Sequence, residues 1–332
     1  MSFKIGNKQA NRSYLGSNSI NKVYLGNTVV FSVTGQLVAD YGTGALIAFG
    51  LKYLSVYYAG DVVRVRRSSD SSESDFNPTE VTDGTLTTFV GAGNSGFVTK
   101  WYNQGTGGGT YDATQTTSSQ QPQIVDSGSL ILRNGNASVK YNGSGQKLLV
   151  GTTSNIKFTH YQKSSLFVVQ QPSQSANPET LYWMTGTHTS VSSGRRSYYV
   201  RYDDRSVSSF NNDMVHVIGN NGVVVLNGTK PKPQNIWPSN SLSVARVYSD
   251  PANSTASQRS KITVNNAAFL MQNTDRRNPS SSNAAGRLAV GASEQNQTTN
   301  TWIDCISAYI LYDEDVYSDD ADIYDDLETM YI

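Results

Sequence analysis

Gly96-Phe97-Val98-Thr99-Lys100-Trp101-Tyr102-Asn103-Gln104-Gly105 is the stretch that sets the fold class. Aromatic and β-branched side chains fill it up to Tyr102 and fit a pleated, half-buried surface, while Asn-Gln-Gly marks a stop. Upstream, residues 61–67 alternate Val63 and Val65 with Arg64 and Arg66, which predicts a strand with one outward face. The basic run is short and interleaved with valine, which favours an ordinary strand with one outward face over a basic patch. Thr85 to Val90 reads as a short helix capped by Asp83. Residues 45–58 are expected to hold another, with Ala45, Leu46, Ala48, Phe49 and Tyr53 apolar and Gly50 weakening it. Gly105 to Gly109 lacks the Lys-Ser/Thr ending of a phosphate cradle and reads as a flexible turn.

Downstream the same rhythm continues. Strands are expected at 129–133, 137–141, 165–170, 181–185, 197–202, 214–218, 222–226, 242–248, 261–264, 287–290 and 302–311. So many short strands divided by polar loops argue for two packed antiparallel sheets. After Ser318, Asp319 and Asp320 suit a first helical turn, and Ile323, Leu327 and Met330 form an apolar stripe. A short C-terminal helix should therefore pack on the sandwich.

Composition agrees. The chain has 332 residues, 37% of them hydrophobic, which is enough for a core. The 20 tyrosines, with abundant Ser, Asn and Gly, suit strands and polar loops better than helix bundles. Lys plus Arg and Asp plus Glu both number 26, so no net field draws the chain to nucleic acid or to a membrane surface. The single cysteine, Cys305, excludes an internal disulfide and reads as a buried, inert thiol. No stretch is long and apolar enough for a membrane-spanning helix. The N-terminus lacks the apolar core of a signal peptide, so folding in a reducing cytoplasm is expected.

Residues 1–34 differ from the rest. Ser13-Tyr14-Leu15-Gly16 is echoed by Val23-Tyr24-Leu25-Gly26, and each copy reads as a hairpin piece. Isolated hairpins are marginal in water, so this segment should dock on something, with residues 32–35 as the joint before a domain spanning 35–332.

Residues 62–70, then 96–105, Tyr111-Asp112-Ala113-Thr114-Gln115 and Gln121-Pro122-Gln123-Ile124-Val125 together resemble the catalytic sandwich of the α-L-arabinofuranosidase B family. They are also similar to related concanavalin-like and laminin-G modules of tailed-phage and bacterial surface proteins. The resemblance implies an all-β, antiparallel concanavalin-like jelly-roll sandwich carrying an N-terminal β-hairpin adaptor and a C-terminal helix. The Tyr-Leu-Gly hairpins resemble attachment pieces of phage appendages. Tyr14, Leu15, Gly16, Tyr24, Leu25 and Gly26 are therefore the expected attachment residues.

Retaining glycoside hydrolysis needs two carboxyl groups, one nucleophile and one acid/base. The resemblance places the family's nucleophile within residues 182–188, which hold neither Glu nor paired cysteines. Its acid/base falls within 291–295, where Glu294 stands alone. On this ground the chain is expected not to be an enzyme. His160, His188 and His216 lack metal-ligand spacing, and Ser68-Ser69-Asp70 lacks a nucleophile elbow. Asp203-Asp204 and Asp313, Glu314, Asp315 could take calcium; otherwise no cofactor is implied, and the plain reading is solvated acids.

The expected role is a virion structural protein, a head or tail fibre of a tailed bacteriophage assembled in the host cytoplasm. Residues 1–34 would bind other virion proteins, and the family implies a homo-trimer. Host surface polysaccharide is the expected external ligand, through stacking on Trp183, Trp237, Tyr198 and Tyr199. The alternatives are a carbohydrate-binding module and a divergent arabinofuranosidase-type hydrolase using Glu294.

Overall fold

The strand Ile303–Tyr312 is buried on both faces, and the architecture is arranged around it. The computed structural model describes residues 4–5, 8–9, 13–15, 18–20, 22–25, 28–32, 37–152, 154–172, 181–187, 197–203, 213–220, 223–227, 242–255, 258–267, 269–271, 286–292, 298 and 301–332. Of side chains in these segments, those in 1–32 and some on later strands lie outside the description.

On one side, Ile303–Tyr312 pairs along its length with Ser164–Pro172. On the other, its second half meets Ile47–Gly50 and its first half Val139–Asn142. Ser243–Ser249, Ser260–Val264 and Leu270–Met271 extend this back sheet in that order. The front sheet runs Glu73–Phe76, Val63–Arg67, Gly96–Trp101, Ala113–Thr114, Leu148–Val150, Leu288–Val290, Leu181–Gly186, Ser197–Asp203, Asp213–Asn220, Val223–Asn227. Every pairing is antiparallel. Gln123–Asp126 bonds to Gly96–Trp101 and to Val139–Asn142, so the sheets curl into each other along that side. The expected all-β jelly-roll sandwich is what forms.

Period-two alternation sorts the side chains. Val63, Val65, Val98, Trp101, Leu148 and Val290 of the front sheet pack on Leu166, Val168, Val247, Tyr309 and Leu311 of the back sheet. Phe49 stacks on Trp101 at 5.7 Å between ring centroids and tilts against Tyr309 at 6.0 Å. Burying each such ring contributes on the order of 2 kcal/mol.

The opposite face of the back sheet offers Ala308, Ile310, Tyr312, Phe167 and Val244, and the C-terminal helix Asp320–Tyr331 covers it with Ile323, Tyr324, Leu327 and Tyr331. Met330, expected in that stripe, is half-buried at its edge. Asp320 receives Arg246 and the Tyr248 hydroxyl, pinning the first turn. Lys52 Nζ donates to the Met330 carbonyl at 2.6 Å and Asn136 Nδ2 to that of Tyr331 at 2.7 Å, satisfying orphan carbonyls at the other end.

Three local expectations are corrected. Residues 45–58 hold the strand Ile47–Gly50 and turns, not a helix, because this apolar run is buried on both faces and has no periodicity to read. Before Thr85–Val90 lies a second helix, Pro78–Thr82, opened by an Asn77–Glu80 capping box. Asp83 ends that helix while its carboxylate accepts the Thr85 N–H at 2.9 Å; the N-cap of Thr85–Val90 is Gly84. The Gly105 turn is packed, since a Cβ there would stand 2.6 Å from the Leu46 carbonyl oxygen.

The N-terminal residues form three hairpins: Lys4–Ile5 with Lys8–Gln9, Ser13–Leu15 with Asn18–Ile20, and Lys22–Leu25 with Thr28–Ser32. Among the described residues each closes as its own two-stranded sheet and shares no ladder with the sandwich.

Candidate functional site

The outward side chains of the front sheet build a polar face at the edge formed by Glu73–Phe76, Val63–Arg67 and Gly96–Trp101. Facing Val63 and Val65 inward turns Arg64 and Arg66 outward, and antiparallel register sets Arg64 opposite Asp75. The guanidinium grips the carboxylate with two bonds of 2.7 Å. Tyr102, just past the neighbouring strand, donates its hydroxyl to the same Asp75 at 2.7 Å. Lys100 lies 4.9 Å over the Tyr102 ring and 3.5 Å from Asp112, whose other oxygen accepts the Asn103 N–H at 2.9 Å. Arg66 donates to Gln121 at 2.7 Å, and the Thr99 hydroxyl to Glu73 at 3.2 Å.

This face is reachable. The Arg64 and Asp75 side chains keep 37% and 30% of their exposure, so solvent screens the pair and its contribution to folding is small. The hydrogen bond from Arg64 holds the Asp75 carboxyl below its ordinary value, against the opposing effect of burial. Burial raises Asp61 first, and the negative charges of Asp75 and Glu80 add to it. Burial also raises the Tyr102 phenol, helped by its bond to Asp75, so it stays a donor. Beside them, burial pushes Tyr58 up to about 12. Asp61 and Asp75 are thus shifted in opposite directions, the divergence that separates an acid from a base when two carboxyls act together. The same donors and acceptors, flanked by a tyrosine ring, suit sugar hydroxyls and a sugar face.

The sequence-predicted site residues fall elsewhere. Tyr198 is wholly buried, edge-on to His216 at 5.2 Å between ring centroids, so the expectation that it stacks on sugar is corrected: alternation turns it into the sandwich. Trp183 and Tyr199 sit on adjacent front-sheet strands, with Gly186 opposite Tyr199; their side chains lie outside the described residues. Trp237 and Glu294 lie outside them entirely, as do Gly16 and Gly26; Tyr14, Leu15, Tyr24 and Leu25 are on hairpin strands. Residues 182–188 and the start of 291–295 are neighbours: the Gly291 N–H donates to the Met184 carbonyl at 2.7 Å, next to the pairing of Thr185 with Val290.

Sequence reasoning missed Asp75, Asp112 and Asp61. The signal available was the hairpin: a turn after Arg67 brings Asp75 back opposite Arg64. Among the described residues no group of three or more His, Cys, Asp or Glu is placed to hold a metal ion. Of the acids considered for calcium, Glu314 accepts from the Thr43 hydroxyl at 2.8 Å and Asp315 from the Tyr317 N–H at 3.0 Å. Cys305 is buried, which raises its thiol.

No family model and no curated protein matches the chain. Among solved structures, a GH54 α-L-arabinofuranosidase mutant soaked with 4-nitrophenyl α-L-arabinofuranoside superposes with a TM-score of 0.53 at 12% identity, over 87% of this chain and 63% of that one. An arabinofuranosidase complexed with arabinofuranosyl-α-1,2-xylobiose gives 0.51 at 12% identity, and a GH54 α-L-arabinofuranosidase with a cyclic sulfate inhibitor gives 0.52 at 12%, with the same coverages. The chain thus spans 63% of the length of the arabinofuranosidases it matches. These likenesses overturn the expectation of a non-enzyme. The shared fold is one that houses glycoside hydrolysis, so the lack of a Glu in residues 182–188 is no ground for excluding it.

Proposed function

We propose that the chain is a carbohydrate-active sandwich, a glycan-binding or glycoside-hydrolysing module of the arabinofuranosidase type, working through its front-sheet face. The observation that carries this reading is the superposition of 87% of the chain on arabinofuranosidases. The Arg64–Asp75–Tyr102 cluster supplies fitting chemistry: an ionised carboxylate, a phenol donor and a ring, all partly exposed to solvent. Asp75 is the residue proposed to meet the sugar, with Asp61 as the partner carboxyl. The test is turnover of 4-nitrophenyl α-L-arabinofuranoside and arabinoxylan, run beside a glycan array with the full chain. Turnover or array binding that Asp75→Asn abolishes supports the reading. Neither turnover nor binding on any glycan overturns it.

A second reading concerns residues 1–34. We propose that they attach the module to a larger assembly, a tailed-phage virion being the setting implied by the Tyr-Leu-Gly resemblance. It is supported by the three hairpins, which form no ladder with the sandwich among the described residues. A chain lacking residues 1–34 should lose binding to virion proteins that the full chain retains. Equal binding by both, or by neither, contradicts it.

A further inference from the structure

Residues 51–58 cross from the back sheet to the front sheet and pass the last turn of the C-terminal helix. Between them lies a cleft of about 640 Å³, walled by Lys52, Tyr53, Ser55, Tyr58, Thr329 and Met330. That is within the roughly 300–1,000 Å³ usual for small-ligand sites. The Tyr53 and Tyr58 rings stand 6.2 Å apart, tilted at 60°, and Val56 beside them is 47% exposed. Tyrosine rings at an open cleft, here tilted to each other and partly packed on the core, offer apolar surface on which the C–H face of a sugar rests.

Lys52 is the one charged residue in the lining. It spends one donor on the Met330 carbonyl and lies 5.2 Å over the Tyr331 ring, leaving two N–H donors. Burial lowers its pKa and no carboxylate among the described residues offsets this. An ammonium in such a place gains from an anion, because an opposite charge at close range favours its ionised form. Ser55 Oγ accepts the Tyr57 N–H at 3.2 Å, so its own proton remains to donate, and Thr329 offers a second hydroxyl across the cleft.

We propose that this cleft binds an acidic sugar residue, a uronic acid unit of a polysaccharide, with its carboxylate on Lys52, its ring face against Tyr53 and Tyr58, and its hydroxyls on Ser55 and Thr329. The site lies beside the C-terminal helix and borders the front face at Tyr58, whose hydroxyl donates to the Asp61 carbonyl at 2.6 Å; it makes the module a reader of anionic glycans.

The test is a titration of the full chain, labelled with ¹³C in its methionine methyl groups, with trigalacturonate, xylotriose and inorganic phosphate in turn. The Met330 methyl resonance should move saturably with trigalacturonate, and with neither of the others at the same concentration. Lys52→Gln should weaken that binding by about tenfold or more. Because Lys52 also caps the helix, Tyr53→Leu serves as a second variant and should weaken it similarly. A Met330 resonance that trigalacturonate leaves unmoved overturns the proposal. So does equal binding of xylotriose or of phosphate, or an affinity that neither variant changes. A shift that Lys52→Gln loses and Asp75→Asn keeps belongs to the cleft, so failure here and failure of the front-face reading are distinguishable.

Discussion

The Tyr102 hydroxyl meets Asp75 Oδ1 at 2.7 Å, tying the residue after one front-sheet strand to the edge strand of the hairpin beside it. Arg64 grips both oxygens of the same carboxylate, sharing Oδ1 with Tyr102, so its position and charge are both fixed before any ligand arrives. Preorganisation of this sort lowers the ordering cost of binding.

Replacing Asp75 by Asn keeps the shape and removes the charge. Glycan affinity or turnover should fall by about tenfold or more. Stability should change by less than about 1 kcal/mol, since the pair is partly exposed. Titration and thermal melting on the same samples check both. A large stability loss with unchanged affinity would make Asp75 a structural residue only.

Arg246 and Asp320 form the opposite case. The Arg246 side chain keeps only 5% exposure, and Asp320 is its carboxylate partner while also receiving Tyr248. Asp320→Ala leaves the guanidinium buried without a counter-charge, and should destabilise by about 3–5 kcal/mol. Urea unfolding measures it, and a loss below about 1 kcal/mol would contradict this role.

His216 sits in the interior with Nδ1 2.7 Å from Ser260 Oγ, and burial lowers its pKa to about 3. The unfolded chain, with an ordinary histidine, binds the proton first. Stability from this group is therefore full above about pH 6.5 and is lost as pH falls toward 3. The slope is at most about 1.4 kcal/mol per pH unit. Urea midpoints at neutral and mildly acid pH should differ accordingly in the native chain, and less in His216→Gln. Equal acid sensitivity in both would sink the assignment.

Removing residues 1–34 should leave the sandwich melting unchanged, because the hairpins contribute no strand to either sheet among the described residues. Differential scanning calorimetry checks this. A fall of many degrees would make the segment part of the core.

The strand rhythm was readable because most strands bury one face, and the alternation of Val63, Arg64, Val65 and Arg66 states that directly. It failed at Ile47–Gly50, which is covered on one side by the opposing sheet and on the other by the helix and Leu54. A run buried on both faces has no polar phase to read. Tyr198 and Tyr199 show the matching limit for sites. Alternation says that neighbouring tyrosines face opposite ways, but only the sheet's placement decides which is inside. Asp75 and Tyr102 are separated by two helices in sequence, and their meeting depends on strand pairing that no local motif records.

The central claim, that the front-sheet face meets sugar, is tested most directly by a crystal structure of the chain soaked with an arabino-oligosaccharide. The account predicts a sugar within hydrogen-bonding distance of Asp75, against the Tyr102 ring. A sugar bound elsewhere on the sandwich, with the Arg64–Asp75–Tyr102 cluster bare, would contradict it.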